Sequence, residues 1–175
     1  PANKPILFRL SCIDRFEGGL EIEDTIKLAK ELKNKGIDAI DCSSGGIKGP
    51  NSLFSLATKS PPTPGFQVPL SEAVRHGAEM ATMAVGMIMD PPHAEQIICN
   101  GQADLIALGR EALFNPHWGL HAARLLNEGQ TFDDWPPNMG WWLEVRQRML
   151  SSTDPKDWRI GPAAANAPLR SSKNH

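Results

Sequence analysis

Tyrosine is absent from all 175 residues, cysteine occurs three times, and neither sign of charge prevails, with 18 Lys and Arg against 20 Asp and Glu. Each shortage excludes something. Without Tyr there is no phenolic proton donor for whatever chemistry this stretch performs. Cys12, Cys42 and Cys99 are odd in number, widely spaced and lack a C-x-x-C pair, so neither a disulfide framework nor a zinc site is indicated and reduced thiols are expected. A net charge of -2 offers no basic excess for nucleic acid or an anionic membrane surface. No apolar run approaches a membrane span, and Pro1 to Lys4 does not open like a signal peptide, so a cytoplasmic protein is expected.

What is present is a chain of one-domain length, able to bury a sizeable core if it closes on itself. It starts without Met and enters an apolar strand, Pro5 to Leu10, almost at once, which is expected of a piece of a longer chain. From Ile22 to Lys35, Ile22, Ile26, Ala29 and Leu32 recur on one helical face. Charged residues at four-residue spacing line the other face, and Gly36 ends the helix. Ile37 to Cys42 reads as a second strand leading into a polar mouth, Ser43 to Gly46. A long loop rich in Pro and Ser, Asn51 to Phe66, precedes a short helix, Pro69 to His76, with Gly77 beyond its end. Ala81 to Val85 is a third strand, and Asp90 caps a helix running to Asn100 and Gly101. Leu105 to Leu108 is a fourth strand, and a helix from Pro116 to about Asn127 follows. Four strand-helix units in a row argue for parallel pairing through right-handed crossovers, hence α/β architecture, doubly wound or barrel.

Parallel sheets hold their ligands at the carboxyl ends of the strands, where this chain carries Arg9, Ser43 to Gly46, Gly86, and Gly109 with Arg110. Gly109 permits a tight turn, and Arg110 stands where a following helix would present free N–H groups, a combination suited to an anion such as phosphate. A plain glycine turn with a solvated Arg is the alternative. Arg9 has its own alternative, a buried Arg paired with Asp14 or Asp41. His117 and His121 stand at metal-ligand spacing but lack a third ligand, so no metal is assigned. Cys12 and Cys42 read as small buried apolar residues.

The words FRLSCID, GGLEIED, IDAIDCSSGG, GFQVPLSEAVR, TMAVGMI, ADLIALGREALFNPHW and GWWLEVR occur in that order from Phe8 to Arg146. Together they resemble the Old Yellow Enzyme family of FMN-dependent NADH:flavin oxidoreductases, in its bacterial ene-reductase and xenobiotic-reductase branch. The resemblance implies a TIM (β/α)8 barrel of which this chain is the C-terminal half, strands 5 to 8. It implies FMN across the mouth and NAD(P)H as reductant. Arg9 matches the Arg beside the pyrimidine edge of the flavin, Val85 a position lining the flavin pocket, and Gly86, Gly109 and Arg110 the phosphate positions. The implied reaction is hydride transfer to FMN and then to an activated alkene, with enones and nitro compounds as the small-molecule substrate class.

No catalytic residue is assigned, because the family's proton donor is usually Tyr and its substrate-gripping His pair belongs to the first half of the barrel. The alternative is a non-catalytic half-barrel binding a phosphate ligand or a protein partner. By the same resemblance, residues 1–128 form the half-barrel; composition makes 129–150 a Trp-rich extension, expected to pack on the barrel or a partner subunit, and 151–175 a flexible tail. Trp142 is the candidate substrate-site residue, either reaching a neighbouring subunit's active site or capping the barrel's own helices. The expected partners are the missing N-terminal half or a second copy, in a homo-oligomer.

Overall fold

The computed structural model describes residues 3–14, 17–45, 62–126 and 131–152. The chain divides into two compact units, Pro1–Asn127 and Glu128–His175, each described by itself. The first unit is an α/β layer. Its strands β1 (Leu7–Ser11), β2 (Ala39–Ser43), β3 (Ala81–Ala84) and β4 (Leu105–Ile106) form one parallel sheet in the order β1-β2-β3-β4. The helices between them are α1 (Ile22–Asn34), α2 (Val68–Ala78) and α3 (Pro91–Cys99), followed by α4 (Arg110–Phe114) and α5 (Trp118–Leu126). No helix among the described residues is long and apolar enough to cross a membrane.

Register decides which face of this sheet is covered. Leu10, Cys42, Ala84 and Ile106 are successive partners across the four strands, so their side chains share one face. That face holds both apolar clusters: Ile40 and Cys42 pack with Ala29 of α1 and Val74 of α2, and Ala84 packs with Ala94 and Ile97 of α3. Ile106 and Trp118 of α5 pack against the second cluster. The next row, Arg9, Asp41, Met83 and Leu105, points the other way. A fully buried Ile40 contributes about 1.5–3 kcal/mol by leaving water.

Asp90 caps α3 as expected, its carboxylate accepting from the His93 N–H at 3.2 Å. Other boundaries moved. The helix expected over Pro69 to His76 runs on through Gly77, which stands inside it because a Cβ there would meet Ile26 Cδ1 at 2.8 Å. Gly77 lets α1 and α2 approach. The turn-out comes instead at Glu79, in the left-handed region at φ 51°. The expected strand Leu105 to Leu108 pairs only at Leu105 and Ile106, since β3 ends at Ala84 and one further bond, Ala107 N–H to the Ala84 carbonyl, completes the ladder. Most of the loop expected over Asn51 to Phe66 lies outside the described residues.

In the second unit a helix absent from the sequence reading, α6 (Pro137–Ser151), occupies the Trp-rich stretch. Proline suits its first turn, and buried Gly140 lets its backbone approach the Phe132 carbonyl, 2.9 Å from where a Cβ would sit. Its apolar residues include exposed Trp141, Trp142 and Met149, so no single face is apolar and periodicity could not reveal it. The tail beyond Ser152 lies outside the described residues.

At the amino ends of β3 and β4, Arg75 of α2 grips Asp104 through two hydrogen bonds, 3.0 and 2.9 Å, while Asp104 also accepts from the Thr82 N–H. The Arg75 bonds hold the Asp104 carboxyl below its ordinary value, against the cost of partial burial. A carboxylate with a depressed folded pKa contributes stability that is complete above about pH 4 and is lost as pH falls through its folded value. Asp104→Asn should therefore lower the melting temperature at pH 7, and the gap from wild type should close as pH approaches the folded pKa. Thermal melts across pH, at low salt because both side chains are part-exposed, check this.

Candidate functional site

The carboxyl ends of β1, β2 and β3 are tied to one another by side chains that leave the ladder. Ser11 Oγ–H donates to the Gly45 carbonyl at 3.1 Å, and Ser43 Oγ–H to the Leu10 carbonyl at 2.9 Å, so the ends of β1 and β2 are cross-braced. Gln67, buried just before α2, joins β2 to β3. Its Oε1 accepts from the Ser44 N–H and from Ser44 Oγ–H at 2.9 Å, and its Nε2 donates to the Val85 carbonyl at 3.3 Å. Sequence reading missed Gln67 as a site residue, and an amide ahead of a Val-Pro helix start carries no signal that it reaches two strand ends.

After β3 the chain turns through Gly86 at φ +122° and Met87 at φ +54°. Only glycine fits the first position comfortably, and a Cβ there would also meet Gln67 Nε2 at 2.9 Å and Phe66 Cε1 at 3.0 Å. The Gly86 carbonyl accepts from the Gly65 N–H at 2.8 Å. The Trp118 indole N–H donates to the Met89 carbonyl at 2.6 Å, anchoring α5 to the same loop.

Because β3 and β4 are neighbours, the β4 exit lies beside this turn, bringing Val85 and Gly86 alongside Gly109 and Arg110. Gly109 differs from its expected reading. Its φ is -97° and a Cβ would meet nothing within 4 Å, so no crowding inside the chain demands glycine there, and the space above it is open. The N–H groups of Gly86 and Gly109 donate to no carbonyl in the described turns and loops. Gly86 is itself buried, and a buried donor calls for an acceptor. Arg110, the first residue of α4, is exposed and makes no ion pair among the described residues.

Arg9 sits on β1, three strands from β4, roughly 14 Å across a parallel sheet. Its Nη1 donates to Asp41 Oδ2 at 3.0 Å, which is the carboxylate pairing weighed as the alternative. That alternative expected a buried Arg, whereas the Arg9 side chain is 60% exposed. Burial raises the Asp41 carboxyl above its ordinary value and Arg9 opposes the rise. Trp142 is exposed in α6, with Trp141 edge-on at a centroid distance of 4.4 Å, inside the second unit. Among the described residues no three His, Cys, Asp or Glu gather as a metal site. Cys12 and Cys42 are fully buried, and the Cys12 sulfur together with burial pushes the Cys42 thiol above its ordinary value.

A comparison with family models matches residues 2–128 to the NADH:flavin oxidoreductase / NADH oxidase family. The chain belongs to that family. Among its relatives, the NADPH dehydrogenase of Halalkalibacterium halodurans is 47% identical over 119 residues, covering 68% of this chain and 33% of the relative. The NADPH dehydrogenase of Listeria innocua is 43% identical over 124 residues, 71% of this chain and 34% of the relative. That of Bacillus subtilis is 44% identical over 124 residues, 70% and 34% respectively. The chain thus spans about a third of the length of the curated relatives it matches. The matched span holds every candidate residue except Trp142.

The two glycines should respond differently to a methyl group. Gly86→Ala meets both a left-handed backbone and two close contacts, and should destabilise the protein by about 1–3 kcal/mol. Gly109→Ala, facing open space, should lose clearly less. Denaturant unfolding of both variants checks this, and equal losses would contradict the crowding at Gly86.

Proposed function

We propose that this chain is the C-terminal half, strands 5 to 8, of a TIM (β/α)8 barrel in an FMN-dependent NAD(P)H oxidoreductase that reduces activated alkenes. The adjacency of the Gly86 and Gly109–Arg110 turns at the carboxyl ends of neighbouring parallel strands carries the reading. Several features support it. The crossover helices α1, α2 and α3, with Trp118 of α5, pack on one face of the first unit's sheet, as a barrel wall requires and a doubly wound sheet does not. In barrels the last two strand exits commonly form a phosphate site. The relatives' name, NADPH dehydrogenase, favours NADPH as the reductant.

The residues present fit the FMN group. The N–H groups of Gly86 and Gly109 would hold phosphate oxygens without side-chain entropy, and Arg110 would add a charge-assisted bond of about 1.5–3 kcal/mol. Gln67 would keep the Val85–Gly86 turn in place under that load. Val85 would line the pocket. Arg9, roughly 14 Å across the sheet from β4, would lie at the ring end of an elongated ligand whose phosphate sits at β3 and β4. Its guanidinium would stabilise negative charge at the pyrimidine edge. FMN, when bound, supplies the hydride acceptance and donation that no side chain here can. The proton donor and substrate clamp belong to the remainder of the barrel, which would also cover Ile6, Leu7 and Phe8 at one edge and Leu105 at the other, all exposed here. Trp142 would serve the substrate site from a neighbouring subunit of a homo-oligomer, and the enzyme would work in the cytoplasm.

In the full-length enzyme, Arg110→Ala should weaken FMN binding by about tenfold or more while leaving riboflavin, which lacks the phosphate, little changed. Flavin titration reads both, and unchanged FMN affinity would sink the phosphate assignment.

Residues Pro1 to His175 expressed alone should neither oxidise NADPH with an enone present nor persist as a monomer, because two open sheet edges and the exposed Ile6, Leu7, Phe8 and Leu105 need cover. Light scattering and a coupled FMN assay test this, and a monomer that turns over the enone would defeat the half-barrel reading.

A further inference from the structure

Asp41 is the carboxylate that the proposed chemistry does not use. It occupies the register position beside Arg9 on the open face of the sheet, and its Oδ2 accepts from Arg9 Nη1 at 3.0 Å. Its side chain is 15% exposed against 60% for Arg9, so the carboxylate is the fixed member of the pair and the guanidinium the free one. The other oxygen, Oδ1, is buried without a hydrogen-bond partner among the described residues. A buried carboxylate with one unused oxygen is an expensive way to hold an arginine if only stability is at stake, because desolvation offsets much of the attraction. Its position suggests a different use.

Resting on the reading of Arg9 as the cation at the flavin ring, we propose that Asp41 is a positioning residue that sets the reduction potential of the bound flavin. Asp41 acts in two ways. The bond to Nη1 takes one of five guanidinium donors and orients the rest toward the mouth. The negative charge partly cancels the field that Arg9 exerts on the ring, which makes the flavin harder to reduce than Arg9 alone would. A more negative flavin is a stronger hydride donor, so the pair trades ease of accepting hydride from NAD(P)H against force in delivering it. Near the ring, a unit charge in a half-buried site shifts a reduced-to-oxidised ratio by about tenfold.

The two actions separate by substitution in the FMN-loaded, full-length enzyme. Asp41→Asn keeps the shape and an acceptor for Arg9 but removes the charge, so the midpoint potential should rise, raising the reduced-to-oxidised ratio at fixed applied potential by about tenfold. Asp41→Ala removes the charge and also releases the guanidinium, so part of that rise should be given up. Asp41→Ser takes its place should the alanine variant fail to fold. Arg9→Met should shift the potential the opposite way, downward. A spectroelectrochemical titration of all variants reads these shifts. An unmoved or lowered potential in Asp41→Asn, with Arg9→Met lowered, overturns this inference and leaves the proposed function standing. An Asp41→Ala potential equal to that of Asp41→Asn overturns the orienting role. An unmoved potential in Arg9→Met overturns the placement of Arg9 at the flavin, and the inference with it.

Discussion

Parallel pairing of β3 with β4 is the constraint on which the candidate site depends. Two strands that run the same way must be joined by a crossover, and here α3 supplies it. The consequence is that both strands finish at the same edge. Because Ala84 stands opposite Ile106, the Gly86 turn and the Gly109 turn emerge side by side. An antiparallel pair would have sent them to opposite ends of the sheet, and no set of glycines could then have met around one anion. Gln67 and Trp118 reinforce the same arrangement from either side, one tying Val85 to β2 and the other tying Met89 to α5.

The open face of the sheet is where charge is concentrated, and the covered face is where it is absent. Beneath the helices the register row is Leu10, Cys42, Ala84 and Ile106, while above it the row is Arg9, Asp41, Met83 and Leu105. An ion pair is affordable on the second row because Arg9 keeps contact with solvent while Asp41 is mostly withdrawn from it. Such a pair has little value as a staple. Its value lies in placing a cation, with known direction and a known counter-charge, at the rim where a ligand's ring would lie.

The opposite rim has the contrary character. Arg75 and Asp104 meet through two bonds, and Asp104 also holds the Thr82 N–H, so α2, β3 and β4 are locked together away from the mouth. This division is what a strand-end site requires, since turns that bear ligand-binding groups can be shaped for the ligand only if the fold is held elsewhere.

The order of strands and helices in the first unit was legible in the sequence because each element carries a local cause: the apolar stripe of α1, the Asp90 cap before Pro91 and Pro92, the apolar run ending at Gly86. The family words, being local as well, carried the flavin reading with them. Features that depend on distant partners were not legible. Gly77 looked like a helix stop because nothing local shows that Ile26 presses against it. The helix Pro137–Ser151 escaped notice because its tryptophans face outward and break the period. Gln67 joins residues 23 positions before it and 18 after it, which no spacing rule anticipates. By itself the sequence determined the elements and the kinds of chemistry at their ends, since these follow from neighbours along the chain. Only the tertiary structure decided that Arg9 meets Asp41, that Gln67 bridges two strand ends, and that the three crossover helices α1, α2 and α3 lie on one face, because register and packing are set by contacts between residues far apart in sequence.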